Sequence, residues 1–248
     1  MNGFLAVFNR ELRAYFFSPM AYVILTFLLL YNGSTFSLIL SYLNDPRAAG
    51  SATPLSLFFS GSTAFFWFFL FIVVSVLTMR LISEELRSGT IEPLMTAPVS
   101  AGQVVLGKYL AALVFYIFLW LPTLAYPIII GRSSDVDWGP IASGYLGILG
   151  VGSVFMAVGI FGSSFTKNQI VAAVVTFAIL MSFFFIAFMD GLATSETTKE
   201  LISYMNLLQH MEEFGKGIVD TRRLVYYLTT SALFLFLTSR ALEAKKWR

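Results

Sequence analysis

Long apolar runs separated by short polar stretches dominate the sequence and predict an all-α membrane protein with six transmembrane helices. About 20 apolar residues in a helix, each adding about 1.5 Å, cross the hydrocarbon core of a bilayer. The runs that meet or approach this length are residues 20–43, 63–81, 104–130, 141–165, 170–189 and 224–239. The last run is the shortest, and we expect the flanking Arg223 and Arg240 to lengthen it by extending toward the membrane surface.

Capping signals indicate where several helices begin. A serine or threonine followed three residues later by glutamate or glutamine lets each side chain bond the backbone N–H group of the other. The pattern occurs in Ser100 with Gln103, Thr166 with Gln169 and Thr197 with Glu200. It predicts the starts of the third span, the fifth span and a helix outside the membrane.

Prolines and glycines shape the third and fourth spans. Pro122 and Pro127 are expected to bend the far half of the third span, because proline cannot donate a helical hydrogen bond. The glycines of the fourth span are Gly144, Gly147, Gly150, Gly152, Gly159 and Gly162. Because glycine lets helix backbones approach closely, this span is expected to pack against other helices rather than lipid.

Residues 1–18 contain an amphipathic segment that predicts a helix lying in the membrane interface. Apolar side chains, most of them aromatic, share one face, and Arg10 and Arg13 lie on the opposite face. Glu11 falls within the apolar face. Either it occupies a frayed or shallow position, or it forms a structural ion pair with an arginine from residues 80–100.

The polar loop at residues 80–100 joins the second and third spans. Its charges require water, because ionised groups are costly in hydrocarbon. Gly89 can end a helix that continues from the second span, Thr90 can cap a short helix at residues 91–97, and Pro98 can end that helix. A short rigid helix of this kind is suited to receive a push from a partner. A solvated connector without such a role is the alternative.

Composition agrees with a membrane protein and limits its partners. The chain is 57% hydrophobic and 12% charged, against about 25% charged in soluble domains. Its net charge of +2 is too small to point to nucleic acid as a partner. There is no cysteine, so disulfides and thiolate metal ligands are excluded.

The distribution of charge predicts the orientation in the membrane. Six spans place both termini on one side, together with the loop at residues 80–100. That side holds ten of the sixteen basic residues and five of the fourteen acidic residues. Because lysine and arginine concentrate in cytoplasmic loops, both termini are predicted to be cytoplasmic.

The sequence indicates neither a catalytic site nor a metal site. The spans carry no cluster of ionisable groups at membrane depth, which disfavours an enzyme and an ion-coupled carrier. Gly102, Gly107 and Lys108 match part of a phosphate-binding loop, but Tyr109 replaces the Mg²⁺-binding serine or threonine and a spanning helix begins there. The chain is therefore predicted not to hydrolyse ATP itself.

Residues 190–223 form the longest polar stretch. They are interpreted either as an amphipathic hairpin that dips partly into the outer side of the membrane or as a plain surface loop. His210, the single histidine, lies in this stretch without a companion ligand. It is interpreted as an ordinary surface residue, and no metal site is predicted.

Three segments resemble ABC-2 type transporter permeases. The sequence EELRSGTIEPLMTAPV, beginning at Glu84, is similar to the cytoplasmic loop by which these permeases touch their ATPase subunit. RELRAYFFSPMAY, beginning at Arg10, and FGKGIVDTRRLVYYL, beginning at Phe214, resemble the gliding-motility-associated permeases and the related copper-processing permeases of denitrifiers.

This resemblance implies a permease of the bacterial inner membrane that pairs with a second permease, on two separate ABC ATPase subunits. The partner ATPase would bind ATP and Mg²⁺, and this chain would bind no cofactor. The residues at coupling-motif positions are Glu84, Glu85, Arg87, Gly89, Thr90, Glu92, Thr96 and Pro98. By the same resemblance, the first helix, with Arg10, Glu11 and Arg13, is an interfacial connecting helix, and residues 190–223 form a re-entrant outer hairpin.

Aromatic residues are concentrated in the second and fifth spans. Such blocks are typical of membrane interfaces, whereas in the permeases that the chain resembles these two spans line the pathway between two subunits. The residues assigned to a pathway or dimer interface on this basis are Phe65, Phe66, Phe68, Phe69, Phe183, Phe184 and Phe185.

The resulting hypothesis is an exporter permease that couples ATP hydrolysis by a separate subunit to substrate export, in a gliding-motility system. The alternative is a membrane scaffold subunit of a motility or secretion machine, which would use ATP-driven motion without transport.

Overall fold

A computed structural model describes residues 3–43, 58–59, 64–91, 99–132, 136–189 and 195–246. Within these ranges the chain is helical and contains no strand. The α-helices are α1 (Gly3–Phe16), α2 (Pro19–Leu43), α3 (Ala64–Thr78), α4 (Ser83–Ser88), α5 (Ala101–Trp120), α6 (Ala125–Ile130), α7 (Trp138–Ser163), α8 (Gln169–Phe188), α9 (Glu196–Met205), α10 (Leu207–Gly215) and α11 (Thr221–Lys246).

Six helical segments within the described ranges are long and apolar enough to cross a membrane. They are Pro19–Ser41, Phe66–Ser88, Ala101–Ile130, Trp138–Ser163, Gln169–Ala187 and Thr221–Lys245. The predicted all-α architecture with six spans is therefore confirmed. The second segment includes α4, which continues from α3 through a turn at residues 79–82.

Helix α7 is the centre of the bundle, and its glycines allow this position. Of its most apolar stretch 72% is buried, against 22% in α2, α8 and α11. Each glycine of α7 named above faces a side chain that a methyl group would displace. The facing residues are Phe59 at Gly144, Phe214 at Gly147, Tyr227 at Gly150, Tyr116 at Gly152, Thr78 at Gly159 and Thr176 at Gly162. The predicted close packing of the fourth span is confirmed.

Local signals place the ends of the third span correctly. Ser100 and Gln103 form the predicted capping box at the start of α5. Pro122 lies in a single 3₁₀ turn, Leu121–Leu124, which separates α5 from α6. This turn interrupts the α-helix in the far half of the span, where the proline pair predicted a bend.

Two other predicted caps are wrong in detail. At α8 the capping residue is Asn168 rather than Thr166, because Asn168 Oδ1 accepts from the N–H groups of the first turn. At α9 the helix begins after Ser195, so Thr197 is already inside it. Asn206 then ends α9 and caps α10, so this polar stretch contains two helices.

Helix α11 begins earlier than the sixth apolar run, and Arg223 does not extend toward water. Arg223 is only 8% exposed. Its guanidinium donates two hydrogen bonds of 3.0 Å to the carboxylate of Glu213 and one of 2.9 Å to the carbonyl oxygen of Ser203. Its predicted role in lengthening the span is therefore wrong. The ion pair instead joins α11 to α9 and α10.

Replacing Gly150 with alanine is expected to destabilise the bundle by roughly 1–3 kcal/mol, the usual cost of overpacking, because the new methyl group would overlap the ring of Tyr227. Gly102→Ala is the matched control, since a Cβ atom at Gly102 has no neighbour within 4 Å. Thermal unfolding in detergent should give a lower midpoint for the first variant alone. Equal midpoints would contradict the packing role.

Candidate functional site

Four charged side chains meet on the side of the bundle that carries α1. We call this group the charged junction: Arg10 and Glu11 of α1, Glu85 of α4, and Lys108 of α5. The junction lines one wall of an open cavity of about 400 Å³. Three elements that are far apart in sequence therefore share one set of ion pairs.

Lys108 is the most deeply buried member of the junction, with only 1% of its side chain exposed. Its Nζ atom lies 2.9 Å from Oε1 of Glu11 and 3.0 Å from Oε1 of Glu85. Nη2 of Arg10 lies 2.7 Å from the same Glu11 oxygen and also pairs with Glu85. The two positive charges of the junction neutralise its two negative charges. A buried charge needs such a partner because its removal from water is costly.

The environment of the junction keeps both residues of α1 charged. Burial alone would raise the pKa of Glu11, but the charge of Lys108 and the hydrogen bonds from Lys108 and Arg10 outweigh it, so the pKa lies below its ordinary value. For Arg10, burial would lower the pKa, but the hydrogen bonds and charges of Glu11 and Glu85 raise it overall. Arg10 and Glu11 therefore form an ionic pair at neutral pH.

Glu11 thus forms an ion pair, but not with the predicted partner. It lies in the middle of α1 and is partly buried, which argues against a frayed position. Its partners are Arg10 and Lys108 rather than an arginine from residues 80–100. The loop contributes the second carboxylate, Glu85. Sequence reasoning missed Lys108; a lone lysine four residues into an apolar run was the signal that could have identified it.

Helix α1 packs directly on α5, which brings the junction together. A Cβ atom at Gly107 would lie 3.1 Å from Cγ1 of Val7 and 3.3 Å from the backbone nitrogen of Phe8, so glycine permits the approach. The rings of Tyr15 and Phe115 stack with centroids 5.0 Å apart. Aromatic residues of α1 that were predicted to face the membrane interface therefore pack partly against α5.

The end of α1 is also fastened to the end of the second span. The hydroxyl of Tyr15 donates to the carbonyl oxygen of Leu77 at 2.8 Å. The guanidinium of Arg80 donates to the carbonyl oxygen of Ala14 and to Oγ of Ser18, each at 3.2 Å, and lies 5.1 Å from the centre of the Tyr15 ring. Arg80 therefore satisfies a carbonyl group at the C-terminus of α1. Arg13 is exposed.

Helix α4 contains the start of the predicted coupling motif. Gly89 has φ of 73° and ends α4 in the left-handed region, as predicted. Glu84 accepts from Nη2 of the exposed Arg87 at 2.9 Å and from Nε2 of Gln169 at the start of α8. Oγ1 of Thr90 is 2.8 Å from Oγ of Ser88.

The rest of the predicted motif lies outside the described residues. This applies to Glu92, Thr96 and Pro98, and to most of the predicted short helix at residues 91–97. Their assignment to coupling stays a prediction. Among the described motif residues, the structure joins Glu84 and Glu85 to other helices.

The aromatic residues assigned to a pathway or dimer interface have different surroundings. Phe66 and Phe184 are buried inside the chain's own core. Phe69 stacks on Tyr31 with ring centroids 4.3 Å apart, and Phe183 packs against Phe234. Phe68 and Phe185 are exposed, and the side chain of Phe65 lies outside the described part of the chain. A pathway role stays a prediction for the set.

His210 is fully buried, so its interpretation as a surface residue is wrong. Its ring lies against those of Tyr226 and Tyr227, with centroid distances of 5.4 and 5.5 Å. Burial, together with the charge of Arg223 and partly offset by that of Glu213, lowers the pKa of His210 to about 4. Within the described residues no group of three acidic, histidine or cysteine side chains could hold a metal ion.

Residues 18–186 match a family model described as ABC-2 family transporter protein. The match reaches from the start of the first span to the end of the fifth and covers about two thirds of the chain. It includes Glu85 and Lys108, whereas Arg10 and Glu11 precede it. A comparison with curated proteins finds no match.

Replacing Lys108 with methionine is expected to destabilise the protein by roughly 3–5 kcal/mol, because it leaves two buried carboxylates with Arg10 as their only described cation. Arg87→Gln is the control, since it breaks an exposed ion pair with Glu84 that contributes at most about 1 kcal/mol. Denaturant unfolding at pH 7.5 measures both. If the methionine variant were as stable as the control, the junction would not be structural.

Stability is expected to fall as the pH drops from about 6.5 toward about 4, since unfolded His210 binds a proton in that range and folded His210 does not. The loss between pH 7.5 and 5 should be roughly 1–2 kcal/mol. His210→Phe removes this titration, so its stability should change less than that of the wild type over the same range. Parallel pH profiles for the two proteins would show that His210 is not responsible.

Proposed function

Since the chain belongs to the ABC-2 transporter family, we propose that it is the permease subunit of an ABC exporter driven by a separate ATPase subunit. The complex would contain two permeases and two ATPase subunits. The observation that carries the proposal is the charged junction, which joins α4 to the first helix and the third span. Such an attachment gives a partner something rigid to move.

The distribution of basic residues indicates which side of the membrane the charged junction faces. The α1 side carries the junction, the loop between the second and third spans and the end of α11 with Lys245, whose Nζ donates to the carbonyl oxygen of Ser164 at 2.6 Å. This side also holds the excess of basic residues. We propose that this side faces the cytoplasm and that the membrane is a bacterial inner membrane. An ATPase subunit on this side has access to ATP.

The attachment of α4 to two other helices suits it to transmit a force. Helix α4 is short, ends at Gly89, and is held by Glu85 to Arg10 and Lys108. A force applied at α4 and the following residues therefore displaces α1 and α5 with it, instead of being lost in a flexible loop. The coupling-motif residues that follow α4 would supply further contacts with the ATPase subunit.

The energy source of the proposed exporter is ATP bound by the partner subunit. Lys108 stands where a phosphate-binding loop would hold phosphate, but its amine is bound to Glu11 and Glu85. Gly107 before it is in contact with α1. Both residues serve packing and ion pairing, which supports the proposal that ATP and Mg²⁺ bind to the partner subunit.

The finer assignment to a gliding-motility system rests on the resemblance of the two terminal segments. These segments contain residues that fasten the ends of the chain, such as Arg10 and Glu11 near the start and Arg223 near the end. ATP-dependent movement of a substrate by the reconstituted complex would support the exporter. ATPase coupling without any such movement would favour the scaffold alternative.

Glu85→Gln is expected to lower the ATP hydrolysis rate that the permease stimulates in its ATPase subunit by roughly fivefold or more, the lower limit of typical coupling between sites. The reason is that α4 loses its ionic attachment to Arg10 and Lys108. The ATPase subunit for this test is the one from the same genome that binds this chain on co-expression, and the two are reconstituted together in nanodiscs. Glu243→Gln is the control, because it removes the same charge from an exposed pair with Arg240 on the same side.

Two results would contradict the proposal. Wild-type protein that binds no ATPase subunit from its own genome would remove the permease function. Equal stimulation by Glu85→Gln and Glu243→Gln would leave the function in place but remove the junction from coupling.

A further inference from the structure

Two neighbouring carboxylates on α4 contact different parts of the bundle. Successive residues of an α-helix are separated by about 100° around its axis, so Glu84 and Glu85 point in different directions. Glu85 pairs with Arg10 and Lys108 of the charged junction. Glu84 accepts a hydrogen bond from Gln169, the first residue of α8. Helix α4 is therefore attached on two sides.

Both oxygens of Glu84 are engaged. Oε1 accepts from Arg87 at 2.9 Å, and Oε2 accepts from Nε2 of Gln169. Among the residues that the structure describes, this amide–carboxylate pair is the hydrogen bond that joins α4 to α8. The neighbouring Asn168 caps α8 through its side chain, so the backbone at Gln169 is held in helical geometry. A force on the side chain of Gln169 therefore acts on the N-terminal end of α8 and not on a flexible connection.

The chemistry of the pair suits the end of a helix. The N-terminus of α8 carries a partial positive charge, which favours the nearby carboxylate of Glu84 and disfavours a cationic side chain at the same place. An amide donor binds the carboxylate without adding positive charge. Glutamine at position 169 satisfies both conditions.

Among the residues that the structure describes, no member of the charged junction forms an ion pair or a side-chain hydrogen bond with α8. Helix α8 packs on α3 through Phe68 and Phe184, whose ring centroids are 5.5 Å apart, and on α7 through Thr176 at Gly162. These contacts are apolar or lie deeper in the bundle. A displacement of α4 passes through Glu85 to α1 and α5, and the contact that connects α4 directly to the start of the fifth span is the pair formed by Glu84 and Gln169.

We infer that Glu84 and Gln169 are positioning residues that form a second linkage, through which a displacement of α4 reaches the fifth span. The inference rests on the proposed function, because it takes the ATPase subunit as the source of the displacement. It adds that the motion divides at α4 into two branches, one for each of the two neighbouring glutamates.

The test uses an exchange of the two side chains. Gln169→Glu places a second carboxylate against Glu84 and should break the linkage by repulsion. The double variant Glu84→Gln with Gln169→Glu restores an amide–carboxylate pair with the roles reversed, and Arg87 remains near the carboxylate. The double variant is the matched control, since it contains the disruptive substitution together with its compensation.

The first measurement is the distance between α4 and α8. The chain has no cysteine, so cysteines introduced at the exposed Ser88 and Lys167 can be spin-labelled selectively. Pulsed electron paramagnetic resonance should give a narrow distance distribution for the parent protein, a broader one for Gln169→Glu, and a narrow one again for the double variant.

The second measurement separates docking from transmission. Nanodiscs containing each variant are titrated with the ATPase subunit identified in the co-expression experiment. Gln169→Glu should leave the half-saturating concentration within about twofold of wild type and lower the maximal stimulated rate about fivefold or more. The double variant should recover most of that rate. A merely structural contact would change the distances without this difference between the two kinetic quantities.

Three results would overturn the inference alone: an unchanged maximal rate for Gln169→Glu, a double variant as defective as the single one, or a loss confined to the half-saturating concentration. The last result would place the pair in the docking surface. Wild-type protein without any ATPase partner would instead remove the proposed function, and the inference with it.

Discussion

The α1 side of the molecule depends on one interaction, the ion pairing of the buried ammonium group of Lys108 with Glu11 and Glu85. An isolated charge in such a place is too costly to keep, so Glu11 and Glu85 have to stay beside it and Arg10 has to balance the second carboxylate. This requirement positions α1 and α4 relative to α5. The same ion pairs attach α4, which follows the second span, to α1 and α5.

The features that the sequence predicted are those that depend on short stretches of chain. Hydropathy located the six spans because a bilayer demands about 20 apolar residues wherever a helix crosses it. The capping box at Ser100 and the helix end at Gly89 were predicted for similar reasons, since a side chain three residues away or a left-handed backbone decides them. The crowded glycines of α7 predicted close packing because small side chains are what close packing of helices in a membrane needs.

What could not be predicted depends on contacts between distant parts of the chain. The position of Glu11 in the apolar face indicated an unusual environment, but its partner lies 97 residues further along and only the packing of α1 on α5 brings it near. His210 looked solvent-exposed because it lies in the longest polar stretch of the sequence, residues 190–223, whereas its side chain is buried against Tyr226 and Tyr227 of α11. Arg223 looked like a membrane anchor because it flanks an apolar run, but the fold of α10 brings Glu213 beside it.

The contact between α1 and α5 explains why Gly107 and Lys108 resemble part of a phosphate-binding loop. Glycine at position 107 leaves room for α1, because a Cβ atom there would crowd Val7 at 3.1 Å and the backbone nitrogen of Phe8 at 3.3 Å. Lys108 follows it because α1, once it is close, presents Glu11 to the amine. A glycine followed by a lysine is thus explained by helix packing and charge neutralisation. The two residues match letters of a nucleotide-binding motif, whereas their role in the structure is to hold α1 against α5.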